Sequence, residues 1–168
     1  GLNIISTYRP DNVINPESKN FINNIIRFGE ITNEDITTYN GYLNAHFKRR
    51  QFFKSLGTTS TDHGHPTANT FSLSSKEISS MYDLALLGKL DKKQCELFRG
   101  HMLLEMARMS CEDNLVMQIH PGSVRDHSPM ILNEFGNNKG FDIPQGTTVG
   151  ARLDIPAYTK FNSWITTI

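Results

Sequence analysis

Apolar and polar positions alternate between two kinds of stretch in this chain: short apolar runs that end in polar clusters, and longer stretches with helical spacing. Ile4-Ile5-Ser6-Thr7 leads to Arg9-Pro10-Asp11 and Thr58-Thr59-Ser60-Thr61 leads to Asp62-His63-Gly64-His65-Pro66. Leu115-Val116-Met117-Gln118-Ile119 leads in the same way to His120-Pro121-Gly122. Helical stretches lie between the runs, giving the order strand, helices, strand, helices, strand, and parallel strands require such crossovers. Reactive side chains placed repeatedly just past strand ends point to one active-site face, as in a β/α barrel. The fold class read from the pattern is α/β, a partial (β/α)8 TIM-type barrel of three strand-helix units. A complete barrel takes roughly 250 residues, and this chain has 168.

The helical stretches carry their own signals. Asn15-Pro16 is expected to open a helix with proline at its first position, and Phe21, Ile22, Ile25, Ile26 and Phe28 give it an apolar face up to Gly29. Thr32 is expected to cap a second helix, with Glu34 and Asp35 in the first turn favouring the helix dipole. That helix carries Ile36, Tyr39, Leu43, Phe47, Phe52, Phe53 and Leu56 and stops at Gly57. Ser74-Ser75-Lys76-Glu77 is a capping-box pattern, and Asp91 with Gln94 marks a second start of the same type. Phe98, Met102, Met106 and Met109 then recur on one face, the spacing of a core stripe. Pro129 to Phe135 predicts a short helix. The chain divides into residues 1–144, the barrel-like part, and 145–168, a poorly patterned tail.

Charge removes some function classes. Seventeen basic residues balance seventeen acidic ones, so no general attraction to polyanions is implied. The one dense basic cluster, Lys48-Arg49-Arg50, reads as the solvated face of a helix. Three charges are few against the six to ten phosphate contacts of strong nucleic-acid binders. Neither nucleic acid nor membrane is an expected partner, since no long apolar span is present. Cys95 and Cys111 lack metal-type spacing and read as reduced, packed thiols, which fits a cytoplasmic location.

Arg9 follows an apolar run and precedes Pro10, whose ring restricts the backbone and holds Arg9 extended. A guanidinium there can grip a carboxylate or phosphate through two parallel hydrogen bonds, or form an ion pair with Asp11. Alternation along an extended segment directs His63 and His65 to the same side. Two imidazoles on one side can bind a zinc-like metal with Asp62 orienting one ring; alternatively one ring contacts substrate while the other packs. His120 ends the most apolar run, where an imidazole can donate to a substrate hydroxyl or act as acid or base. Arg125 and His127 in the following loop are candidates for the rim of the same pocket.

Taken together, Thr7-Tyr8-Arg9-Pro10-Asp11, Thr61-Asp62-His63-Gly64-His65-Pro66, Glu105-Met106-Ala107-Arg108-Met109 and Met117-Gln118-Ile119-His120-Pro121-Gly122 resemble the uronate isomerase family in order and spacing. The resemblance covers roughly residues 3–144. It implies a distorted barrel of the metal-dependent amidohydrolase superfamily, represented here by its middle strands. It also implies an aldose-ketose isomerase interconverting D-glucuronate with D-fructuronate, and D-galacturonate with D-tagaturonate, in hexuronate breakdown. The implied partner is a hexuronate sugar, with a homo-oligomer left open.

On this resemblance Arg9, Asp62, His63 and His120 are substrate-binding residues and Arg125 and His65 pocket-rim residues, while the catalytic base is unassigned. The divalent, zinc-like metal implied by the family has its ligands on a first strand and a last strand that these residues do not match, so no metal ligand is expected here. The chain then reads as an incomplete copy. A metal-dependent hydrolase of the same superfamily and a non-catalytic sugar-binding or assembly fragment are the alternatives.

Overall fold

Helix boundaries in this protein follow side-chain capping chemistry more closely than apolar spacing. The computed structural model describes residues 4–136 and 139–144, together with the backbone of residues 165–167. Six helices are described: α1 (Asp11–Ile14), α2 (Phe21–Thr32), α3 (Tyr39–Ser55), α4 (Ser75–Leu86), α5 (Lys92–Asp113) and α6 (Pro129–Phe135). Both expected capping boxes form. Ser74 and Glu77 exchange bonds at the start of α4, and Asp91 and Gln94 do so at the start of α5, each satisfying amide groups that a helix start leaves orphaned. Pro129 opens α6 as expected.

Two expected starts are displaced. Asn15-Pro16 does not open α2: Asn15 closes α1, and its side-chain oxygen accepts the Glu17 N–H at 3.2 Å, so the segment turns and the helix begins only at Phe21. Thr32 ends α2 instead of capping α3, because Asn33 takes a left-handed φ of 53° and the Thr32 hydroxyl donates to the Phe28 carbonyl at 2.7 Å. The cap of α3 is Thr38, which accepts the Gly41 N–H at 3.0 Å.

The strands β1 (Ser60–His63) and β2 (Val116–Ile119) pair in parallel with Asp62 opposite Gln118 and His63 opposite Ile119. Past them, β3 (Ser123–Val124) and β4 (Ile143–Pro144) form a short antiparallel ribbon. The backbone of β5 (Ile165–Thr167) lies parallel to the other edge of β2, giving the order β1-β2-β5. The expected first strand, Ile4 to Thr7, is not formed. Only Tyr8 bridges Thr61, accepting the Asp62 N–H at 3.0 Å. Ile4 and Ile5 are exposed, so no packing holds that run in a ladder, whereas Tyr8 is buried. Residues 145–164 of the expected tail lie outside the described residues.

Helices cover one face of this sheet. Thr61 and His63 of β1 and Met117 and Ile119 of β2 are buried, while their neighbours Ser60, Asp62, Val116 and Gln118 are half-buried on the other face, the period-two alternation of a strand. The core above the buried face is largely aromatic. Tyr42 stacks on Tyr82 with ring centroids 4.8 Å apart, and each hydroxyl finds a backbone carbonyl, Val13 and Ile36 respectively, as buried tyrosines require. Phe98, Met102, Met106 and Met109 of α5 are all buried, so the methionine stripe is core.

The basic cluster on α3 is not a solvated face. Arg50 is wholly buried, donating to the Asp113 carboxylate from Nε at 2.6 Å and Nη2 at 2.9 Å and to Ser110. Lys48 pairs with Glu34, and Arg49 lies over the Phe52 and Phe53 rings. A buried guanidinium needs such partners, and α3 turns Arg50 inward while leaving Phe47 and Phe52, and Leu56 just past its end, exposed.

Candidate functional site

Strand alternation decides which polar residues reach the open face. Asp62 and Gly64 follow Ser60 onto the half-buried face at the end of β1, and His120 follows Gln118 onto it at the end of β2. The ladder continues past both strands, with the His120 N–H donating to the His63 carbonyl at 3.0 Å and the Gly122 N–H to the His65 carbonyl at 3.2 Å. Arg9 and Asp11 arrive from the neighbouring segment, fixed by the bridge at Tyr8 and by the first turn of α1.

These side chains form one hydrogen-bonded cluster. Arg9 Nε donates to Asp11 Oδ2 at 2.7 Å, Nη1 lies 3.5 Å from Asp62 Oδ2, and Nη2 lies 3.3 Å from His120 Nε2. His120 Nδ1 is 2.7 Å from Asp62 Oδ1, and the Gly64 N–H donates to Asp11 Oδ1 at 3.0 Å. A carboxylate only accepts and a guanidinium only donates. The geometry therefore assigns His120 the Nδ1–H tautomer, leaving the Nε2 lone pair toward Arg9. Burial works against the charge on Arg9, but the bond and charge of Asp11, then the charges of Asp62 and Asp142, outweigh it and raise its pKa. Arg9 is thus both a member of the cluster and an ion-pair partner of Asp11.

His63 and His65 do share one side, as their spacing requires, but it is the buried side. His63 has no exposure, its Nε2 lies 2.9 Å from Thr61 Oγ1, and its Nδ1 has no partner among the described residues. His65 is 5% exposed, and its Nε2 has no partner among the described residues. Burial drives the His63 pKa well below the usual imidazole range, helped by the nearby His65. Burial likewise brings His65 down to about 4, against the pull of Asp11. Both rings are therefore neutral near pH 7.

Arg125 stands apart from the four-residue core of the cluster and pairs with Asp142, tying the turn after β3 to the approach of β4. The bond from the Asp126 N–H, then that from Arg125, holds the Asp142 carboxyl below its usual range, and its charge reaches Arg9. His127 contacts the Phe141 carbonyl on the same ribbon.

The described residues do not assemble a metal centre. The His63 and His65 rings are tilted, with centroids 6.3 Å apart. Among the described residues no three His, Cys, Asp or Glu side chains converge to hold an ion. A groove of about 420 Å³ at the α2–α3 turn, lined by Ile26, Gly29, Glu30, Asn33, Glu34, Asp35, Ile36 and Thr37, contains none of the cluster residues.

Sequence reading found Arg9, Asp62 and His120 but held Asp11 only as a counterion and passed over Gly64. The signal for both was present: Asp11 opens a helix beside Arg9, and a glycine set between polar residues at a strand end marks close approach of other groups.

The fold and the cluster define an α/β protein with a polar, donor-and-acceptor site at the ends of parallel strands. The sequence model described as glucuronate isomerase matches residues 1–160. A uronate isomerase of Rhizobium meliloti is 51% identical over 144 residues, covering 86% of this chain and 31% of its own length. One from Mesorhizobium japonicum is 50% identical over 144 residues, covering 86% of this chain and 31% of its own length. The crystal structure of glucuronate isomerase from Caulobacter crescentus superposes with a TM-score of 0.82 at 46% identity, over 86% of this chain and 30% of that one. The uronate isomerase structure from Thermotoga maritima gives 0.82 at 26% identity, over 87% of this chain and 33% of that one. The chain belongs to the glucuronate isomerase family, and spans about a third of the length of these relatives. Among the described residues no helix is long and apolar enough to cross a membrane.

Proposed function

We propose that this chain carries the sugar-recognising strand ends of a uronate isomerase, built as a partial (β/α)8 barrel of the amidohydrolase kind in which residues 1–144 supply middle units. The whole enzyme interconverts D-glucuronate and D-fructuronate, and D-galacturonate and D-tagaturonate. One observation carries this reading: a single cluster combines the donors of Arg9 with the acceptors of Asp11, Asp62 and His120 Nε2. A uronate presents one carboxylate and several hydroxyls, and these are the complements of such a set.

Arg9 receives the carboxylate, or a hydroxyl next to it, on its Nη edge, since Nε is held by Asp11. Asp62 fixes the His120 tautomer, so that Nε2 accepts a hydroxyl proton of the sugar as Arg9 Nη2 leaves it for the carboxylate. His63 and His65 support β1 from beneath as neutral rings. The divalent metal of the family is supplied by strands outside these residues.

The test is binding and turnover by the purified chain. D-glucuronate binds, D-glucose binds more weakly because it lacks the carboxylate, and no conversion to D-fructuronate is seen. Arg9→Lys keeps the charge but loses the fork, and lowers uronate affinity roughly ten- to a hundredfold, the worth of about 1.5–3 kcal/mol for a charge-assisted bond. Equal affinity for the two sugars refutes carboxylate recognition. Steady isomerisation that is lost in His120→Ala refutes the reading as an incomplete copy.

A further inference from the structure

We propose that Gly64 is a positioning residue of this site, present because any side chain there would drive apart the atoms that meet the ligand. A carbon added to its Cα would lie 2.8 Å from Asp11 Oδ2, 2.9 Å from Arg9 Nη2 and 2.9 Å from His120 Nε2. Carbon packs at about 3.5–4.0 Å from its neighbours, so all three contacts are too short. The three atoms come from three different places in the chain, the segment after Tyr8, the first turn of α1 and the end of β2.

Two further observations separate this role from a conformational one. Gly64 is absent from the described glycines with positive φ, which include Gly122 at 84°. Its backbone is therefore open to alanine, while its N–H bond to Asp11 Oδ1, 3.0 Å long, is made to the same carboxylate that an added methyl group displaces. The crowded atoms are all tips of side chains, with no backbone among them. A methyl group is accommodated by displacing the tips of Arg9, Asp11 and His120 while the strand stays in place. The space above Gly64 is what allows Arg9 Nη2 to stand 3.3 Å from His120 Nε2.

The ligand in this inference rests on the uronate reading above; the convergence of the three tips does not. The experiment compares Gly64→Ala with the parent chain, residues 1–168, in thermal melting, D-glucuronate titration and ¹⁵N spectra of the His120 ring. The variant melts as cooperatively as the parent, its His120 Nε2 resonance moves as the Arg9 contact is lost, and D-glucuronate affinity falls about ten- to a hundredfold. An unmoved Nε2 resonance or an unchanged affinity overturns the proposal. Loss of cooperative melting also overturns it, by making Gly64 a structural residue. If the parent does not bind D-glucuronate yet the Nε2 resonance moves in the variant, the uronate reading fails and the positioning role stands.

Discussion

Removing the Asp113 carboxylate tests whether the buried ion pair holds β2, and with it His120, in place. Asp113 ends α5 and receives Arg50 Nε at 2.6 Å, Arg50 Nη2 at 2.9 Å and the Leu115 N–H at 3.0 Å. Both charged side chains are essentially without solvent, at 0% and 2% exposure. In Asp113→Ala, Arg50 keeps among the described residues only Ser110, on Nη2, and its Nη1 has no partner there to begin with. Breaking one partner out of a buried pair costs about 3–5 kcal/mol, because the other charge stays buried and uncompensated. The orphaned Leu115 N–H belongs to the same network, so its cost overlaps with this one. The expected loss is about 4 kcal/mol, which in urea at about 1–3 kcal/mol per molar corresponds to a midpoint lowered by roughly 2 M. The double variant Arg50→Met/Asp113→Leu removes both charges but still leaves the Leu115 N–H without its acceptor, so it is expected to lie about 1–3 kcal/mol below the parent and above Asp113→Ala. Urea unfolding followed by far-ultraviolet circular dichroism reads both. A loss below about 1 kcal/mol in Asp113→Ala would mean that Arg50 reaches water or another anion, and the reasoning fails.

Two further outcomes follow from the buried histidines and the sheet edge. Burial lowers the His46 pKa to about 3 and His65 to about 4, and puts His63 well below its usual value. Unfolded histidine binds its proton near pH 6.5, so the unfolded chain is favoured as pH falls below that value, by about 1.4 kcal/mol per pH unit for each ring, while stability is retained above it. Urea midpoints flat from pH 8 to 7 but falling from pH 6.5 to 4.5, with a shallower fall in His46→Gln, check this; no fall in that window contradicts the neutral burial. Deleting residues 165–168 removes β5 from the edge of β2, exposing unpaired backbone along an apolar strand. Sedimentation velocity is expected to show more self-association than in the full chain, and an unchanged profile would show that β5 does not guard that edge.

The sequence by itself determined the elements whose signals are local. Ser74 with Glu77 and Asp91 with Gln94 cap helices through bonds made within four residues, and Phe98, Met102, Met106 and Met109 share a face by helical geometry alone. The family was legible too, because its motifs are words in order. Interactions distant in sequence had no such signature. Arg50 meets Asp113 across 63 positions and Arg9 meets His120 across 111, so no window along the chain separates a buried arginine from a solvated one. Alternation placed His63 and His65 together but could not say which face the helices would cover. Tertiary packing chose that face, burying both rings and turning Asp62, Gly64 and His120 toward Arg9, because apolar Met117 and Ile119 in β2 bind the helices and the parallel register carries β1 with them.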